Sequence, residues 1–185
     1  MANRYWVGGT GTWDTTSTTN WSASSGGASG ASVPTAADSV FFDQAGTYTV
    51  TCTGALTCND ITVSAGTVTF ATGTTPTFAI SGSMSLVAGT VWSSTGTITF
   101  NATTTGKTIT TNGVILSGSV TFNGVGGDWT LGSALTLASL LQITVTNGTF
   151  STSASNYAVT ASVITINGGT VTLNGSTVNL SNTSP

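Results

Sequence analysis

The chemistry open to this chain is narrow. Its acids are five aspartates, Asp14, Asp38, Asp43, Asp60 and Asp128, and neither Glu nor His occurs. General acid–base catalysis draws on His, Glu or Asp with a tuned pKa, so only Asp is on offer. Asp38 and Asp43 form the closest pair. If Ser39-Val40-Phe41-Phe42 between them is extended, a spacing of five turns them to opposite faces. A carboxylate pair flanking a sugar ring, as glycosidases use, would have to be assembled from distant parts of the chain. Short polar side chains of this type more often close turns, and that role is expected for Asp14, Asp38 and Asp128, with Asp43 ending a strand. A serine nucleophile would have no histidine to activate it. Gly8-Gly9-Thr10-Gly11 has the glycines of a phosphate loop but neither the Lys-Thr ending nor a following helix. The expectation is a protein with no catalytic residues, no cofactor and no enzyme activity.

Cys52 and Cys58 do not make a disulfide framework by themselves. Cys52 continues the alternation Tyr48-Val50-Cys52, and Cys58 follows Leu56 by two, so both read as small core thiols, with a disulfide as the other reading. A zinc site would need two further ligands that the chain lacks.

The elements that would hold these residues are strands. Only 4% of the 185 residues are charged, against about 25% in an ordinary soluble domain. Disorder goes with low hydrophobicity and high net charge, whereas here mean hydropathy is positive and the net charge is −3. Thr and Val favour pleated sheet, and helix-forming Glu and Lys are nearly absent. Two cations, Arg4 and Lys107, are too few to neutralise a phosphate backbone, so nucleic acid is excluded as a partner. No apolar run approaches the roughly 20 residues of a membrane span, and the chain does not open as a cleaved signal peptide does.

Residues 1–45 differ from the rest. They hold Trp6, Trp13, Trp21 and the loop from Ser22 to Gly30, and read as a small N-terminal cap or attachment region. From 46 to 185 the chain repeats a glycine followed by apolar–Thr–apolar, clearest at Gly46-Thr47-Tyr48-Thr49-Val50, Gly66-Thr67-Val68-Thr69-Phe70 and Gly169-Thr170-Val171-Thr172-Leu173. Gly46, Gly66, Gly89, Gly106, Gly127, Gly148 and Gly169 recur at about 20 residues, the signature of stacked units. Between them lie more strands of the same form, such as Ile98-Thr99-Phe100 and Ile143-Thr144-Val145. Asn112-Gly113, Asn123-Gly124, Asn147-Gly148, Asn167-Gly168 and Asn174-Gly175 mark turns that need positive φ. Two all-β architectures fit: a β-solenoid (β-helix) with two or three strands per coil, and an antiparallel β-sandwich or barrel with Asn-Gly hairpins. The fixed period favours the solenoid. Alternation then points Val68, Phe70, Phe100, Val120, Phe122, Trp129, Leu131, Leu137, Ile143, Val145, Val171 and Leu173 inward.

Thr47/Thr49, Thr67/Thr69, Thr97/Thr99 and Thr170/Thr172 have the form of the flat outward Thr ladders of ice-binding solenoids. Ser119, Asp128 and Trp92 interrupt such a ladder, and Thr is also the ordinary solvent-facing residue of a charge-poor sheet.

The segments Tyr5-Trp6-Val7-Gly8-Gly9-Thr10-Gly11-Thr12-Trp13, Thr19-Asn20-Trp21-Ser22 and Val33-Pro34-Thr35-Ala36-Ala37-Asp38-Ser39-Val40-Phe41-Phe42-Asp43 resemble the start of virion structural proteins of tailed bacteriophages. Residues 127–137 and 146–150 resemble the repeat body of the same proteins, whose coils bacterial adhesins share. The resemblance implies a tail fibre, spike or head decoration, commonly a homotrimer, attached to other virion proteins and facing host surface glycans. Tyr5, Trp6, Trp13 and Trp21 are then the candidate attachment residues. The alternative is an adhesin or carbohydrate-binding solenoid on a bacterial cell surface.

Overall fold

The computed structural model describes residues 1–181, which form a three-faced β-solenoid of about six turns without any helix. β1 (Asn3–Trp6), β2 (Gly11–Trp13), β3 (Trp21–Ser22) and β4 (Ser39–Phe42) build the first end. Regular coils follow: β5 (Thr47–Cys52), β6 (Ala55–Cys58) and β7 (Ile61–Val63); β8 (Thr67–Thr72), β9 (Thr77–Ile80) and β10 (Met84–Ser85); β11 (Val91–Trp92), β12 (Thr97–Phe100) and β13 (Lys107–Thr110). In the next two coils one long strand turns a corner and serves two faces. These are β14 (Ile115–Leu116) with β15 (Val120–Leu131), and β16 (Leu135–Leu137) with β17 (Gln142–Ser151). β18 (Val159–Ala161), β19 (Val163–Ile166), β20 (Thr170–Thr172) and β21 (Val178–Leu180) complete the described chain.

The faces are continuous parallel ladders. One runs β2-β5-β8-β11-β14-β16-β18-β21. A second runs from β6 through β9, β12 and the first halves of β15 and β17 to β19. The third runs from β1 through β4, β7, β10, β13 and the second halves of β15 and β17 to β20. Among the described residues only β1 and β3 pair antiparallel. Parallel strands buried against one another exclude the sandwich and the hairpin barrel. At roughly 4.8 Å per strand, the eight strands of the first ladder span about 34 Å.

Alternation fills the interior. Leu56, Phe78, Ile98, Val120, Ile143 and Ile164 lie in one register file of the second face, and Cys58, Ile80, Phe100, Phe122, Val145 and Ile166 in the next. Phe122 stacks between Phe100 (centroids 5.4 Å apart) and Phe150 (4.7 Å). Ten of the twelve residues expected inside are buried. Val171 and Leu173 are only half-buried, because they belong to the last described coil and no further coil covers them among the described residues.

The Asn-Gly expectation needs one correction. Asn112 and Gly113 do adopt positive φ, at 49° and 85°, and turn the chain. Asn123-Gly124 and Asn147-Gly148 instead lie within β15 and β17, although Gly148 keeps a positive φ of 79°. Gly124 is required there because a Cβ would collide with the carbonyl oxygen of Ala102 in the preceding coil. The glycine serves close stacking rather than a hairpin.

Candidate functional site

The N-terminal end is built around three indoles. Trp6, Trp13 and Trp21 are buried and pack edge-on, with centroids of Trp6–Trp21 at 5.2 Å and Trp13–Trp21 at 5.3 Å, above Phe42. Aromatic side chains bury the largest apolar areas per residue, so three of them can seal an end where no further coil stacks. Trp6 Nε1 donates to the Gly9 carbonyl at 2.8 Å. Arg4 stitches the returning loop to β1, its Nη2 donating to Ser32 Oγ at 2.7 Å and its Nε to the Ser32 carbonyl at 2.9 Å. Of the four candidate attachment residues, the structure therefore places Trp6, Trp13 and Trp21 inside the cap. Only Tyr5 reaches the surface, half-buried and stacked on Phe41 at 5.0 Å. Strand pairing is unbroken across residue 45, since β2 pairs β5 and β4 pairs β7.

Four of the carboxylates are occupied by local structure. Asp14 Oδ1 accepts from the Thr16 and Ser17 amides at 2.7 and 2.6 Å, and these bonds, the Ser17 one foremost, hold its pKa below the usual carboxylate range. Asp38 is largely buried, which by itself would raise its pKa. Donors from Thr35 and the Ala2 amide, with the charge of Arg4, outweigh burial and lower it. Asp60 accepts from Ser39 Oγ, Asn59 Nδ2 and the Ser83 amide, each at 2.8 Å, and so ties three coils together. Asp128 accepts from the Gly106 amide at 3.2 Å, within β15 rather than in a turn. Asp43 follows β4, and its Oδ1 is buried with no hydrogen-bond partner among the described residues. Burial and the charge of Asp43 push the Tyr48 hydroxyl up to about 12.

Both cysteines are free and buried. Burial pushes the Cys52 thiol up to about 12 and raises Cys58 further still. Among the described residues no three metal-ligating side chains gather.

The outward faces are hydroxylated. The four Thr pairs singled out from the sequence fall on three different faces and make no single ladder. A longer file does exist on the second face: Thr57, then Ala79, then Thr99, Thr121, Thr144 and Thr165, one per coil. On the first face the file Thr49-Thr69 is broken by Val91 and Ile115, which are 47% and 53% exposed and adjoin a shallow cleft of about 340 Å³.

A second cleft, of about 180 Å³, opens where the cap meets the first regular coil, between Trp13, Asp14, Thr15, Val33, Pro34 and Ala55-Leu56-Thr57 of β6. Sequence reading missed it. It exists because the first coil supplies strands to two faces only: between β2 and β4 the chain spends residues 14–38 on the excursion that seals the end. Periodicity alone could not show that vacancy, although the long gap between Trp13 and Ser39 was its trace.

No family model matches the sequence, and neither a curated protein nor a solved structure shows significant similarity to it.

Proposed function

We propose that the protein is a non-enzymatic structural component of a tailed-phage virion, a fibre, appendage or decoration protein held to the particle through residues 1–45. The observation that carries this reading is the nearly uncharged rod with hydroxyl-lined faces and one sealed end, four of whose five carboxylates serve turns and coil-to-coil contacts. The architecture suits spanning and display, because stacked coils satisfy their backbone groups along the axis and keep three regular faces in solvent. The tailed-phage assignment rests on the resemblance of the N-terminal segments. The proposal includes self-association, a trimer favoured, since so few charges leave little electrostatic guard against it. A second reading, a bacterial cell-surface adhesin or glycan-binding solenoid, is favoured by the hydroxyl file Thr99-Thr121-Thr144-Thr165, which offers donors and acceptors to a sugar.

Antibodies against the folded chain test the two. Gold labelling of purified phage particles from producing cells supports the virion reading, and labelling confined to the bacterial envelope replaces it with the adhesin. Light scattering of the purified protein gives the oligomer number. Release of reducing sugar from host capsule, lost in Asp38→Asn or Asp43→Asn, would overturn the non-enzymatic reading.

A further inference from the structure

The cleft beside β6 is an unfilled strand position. Every later coil places a strand on each of the three faces, but the first places none on the face that β6 begins. β6 pairs with β9 on one side and with no strand on the other among the described residues.

Its backbone alternates accordingly. Gly54 and Cys58 turn their carbonyls to the β9 side, accepting from Thr77 N at 3.0 Å and Ser81 N at 2.9 Å. In a parallel ladder a residue directs both its N–H and its C=O to one side and its neighbours direct theirs to the other. Leu56 therefore also faces β9, and Ala55, Thr57 and Asn59 face the cap. Asn59 N is met by the Asp38 carbonyl at 2.8 Å. Ala55 and Thr57 are met by no backbone or side-chain group among the described residues. The returning segment crosses here as Val33-Pro34 without pairing, and Pro34 has no N–H to give.

At one end of this gap stands Asp14. Its Oδ1 is taken by Thr16 and Ser17, while Oδ2 has no hydrogen-bond partner among the described residues. Thr15 lies beside Gly54, with its methyl 3.6 Å from where a Cβ on that glycine would sit. The acid thus marks the N-terminal end of the vacancy, whose lining is more polar than apolar, with Val33 and Pro34 standing beside Thr15, Ala55 and Thr57.

We propose that this vacancy takes an extended segment of a partner polypeptide by strand addition, parallel to β6, bonded to the Ala55 and Thr57 main chain, with a basic residue at its N-terminal end against Asp14. The unpaired main-chain groups at strand spacing specify a polypeptide rather than a sugar or a nucleotide. The carboxylate specifies the sign of the flanking charge, which this chain, with its two cations, scarcely supplies itself. The parallel sense follows from the rest of the face, where every pairing on β6's ladder is parallel. The inference goes beyond the virion reading, because the groove has the same chemistry whatever body carries the strand.

The test uses the full-length protein and the peptide acetyl-Lys-Thr-Val-Thr-Val-amide, followed by amide chemical shifts in NMR. The cleft is smaller than the roughly 300 Å³ at which ligand pockets begin, so the expected Kd is weak, on the order of 0.1–1 mM. Shifts should gather at Thr15, Val33, Ala55 and Thr57. Replacing the peptide lysine by glutamate, or Asp14→Asn in the protein, should weaken binding about fivefold. Thr57→Pro removes the N–H that β9 does not use and should weaken it by at least about tenfold. No binding up to 5 mM (about five times the weakest Kd expected) overturns the proposal. So does equal binding of the lysine and glutamate peptides, or unchanged binding in a Thr57→Pro protein that keeps its circular dichroism spectrum. If Thr57→Pro does not fold, Asp14→Asn and the glutamate peptide decide alone. Loss of particle attachment is scored separately on phage, so the groove and the virion reading can fail independently.

Discussion

Phe122→Ala and Ile166→Ala together test whether the solenoid core is closed along its length and open at its last described coil. The two residues share one register file of the second face, Phe122 pairing with Val145 and Val145 with Ile166. Phe122 is fully buried, with aromatic partners on both sides and Trp129 at 5.3 Å, whereas Ile166 is 55% exposed. A buried Phe→Ala removes the transfer energy of the ring and leaves a cavity, at a cost of about 3–5 kcal/mol. Two flanking coils fix the ring stack from both sides and limit collapse, which places Phe122 toward the upper half of that range. Ile166 has less than half of its surface to lose, so the same truncation should cost roughly 1 kcal/mol or less. The assay is urea unfolding followed by tryptophan fluorescence, since Trp129 adjoins Phe122. With an m-value of about 2 kcal/mol/M, Phe122→Ala should move the midpoint by roughly 2 M and Ile166→Ala by about 0.5 M or less. Equal shifts, or a Phe122→Ala loss below about 1 kcal/mol, would refute the packing argument. A repeat protein can unfold from one end, so the fluorescence transition is to be compared with circular dichroism before either value is converted to free energy.

Three further outcomes are expected. Gly118→Ala should destabilise by at least about 2 kcal/mol in thermal melts, because its Cβ would drive into the Gly96 carbonyl oxygen of the neighbouring coil, and a neutral result would contradict the coil spacing. Cys52 and Cys58 should resist a thiol reagent at pH 8 in the native protein and react in full once denatured, since burial holds both as thiols; rapid native labelling would place them elsewhere. Asp38 has a lowered native pKa, so its contribution to stability is complete above its unfolded value of about 3.9 and fades as pH falls below it. Asp38→Asn should therefore melt lower than wild type at pH 6, with the gap closing toward pH 2–3; a gap that widens in acid would reverse the sign.

The body of the fold was legible because alternation and period are local facts. Ile98-Thr99-Phe100 and Ile143-Thr144-Val145 state their faces without reference to anything distant. The number of strands per coil was not legible, because the corners within β15 and β17 carry no break that sequence alone marks. Val171 and Leu173 have the same pattern as Val68 and Phe70 and differ only in what lies beyond them, which alternation cannot encode. Asn123-Gly124 has the composition of a hairpin turn, and only the approach of Ala102 shows why the glycine is there. The three indoles read as interface anchors for the reason that they pack well in a cap: large amphipathic rings suit both uses. The vacancy beside β6 was least accessible, since it arises from a strand that the first coil does not make.

The perpendicular arrangement of strands and long axis has a mechanical consequence. Tension applied along the axis meets the interstrand hydrogen bonds end-on, and each regular coil is held to the next by three short ladders, the first coil to the second by two. Such bonds are loaded a few at a time, so the rod peels coil by coil, each step lengthening the chain by the 20–24 residues between register partners. Within residues 1–181, peeling starts where inner side chains are least buried, at β19 to β21, and reaches the indole-sealed end last. A steady pull would thus give a sawtooth of similar small forces, and the trailing peak would report the Trp6-Trp13-Trp21 cluster.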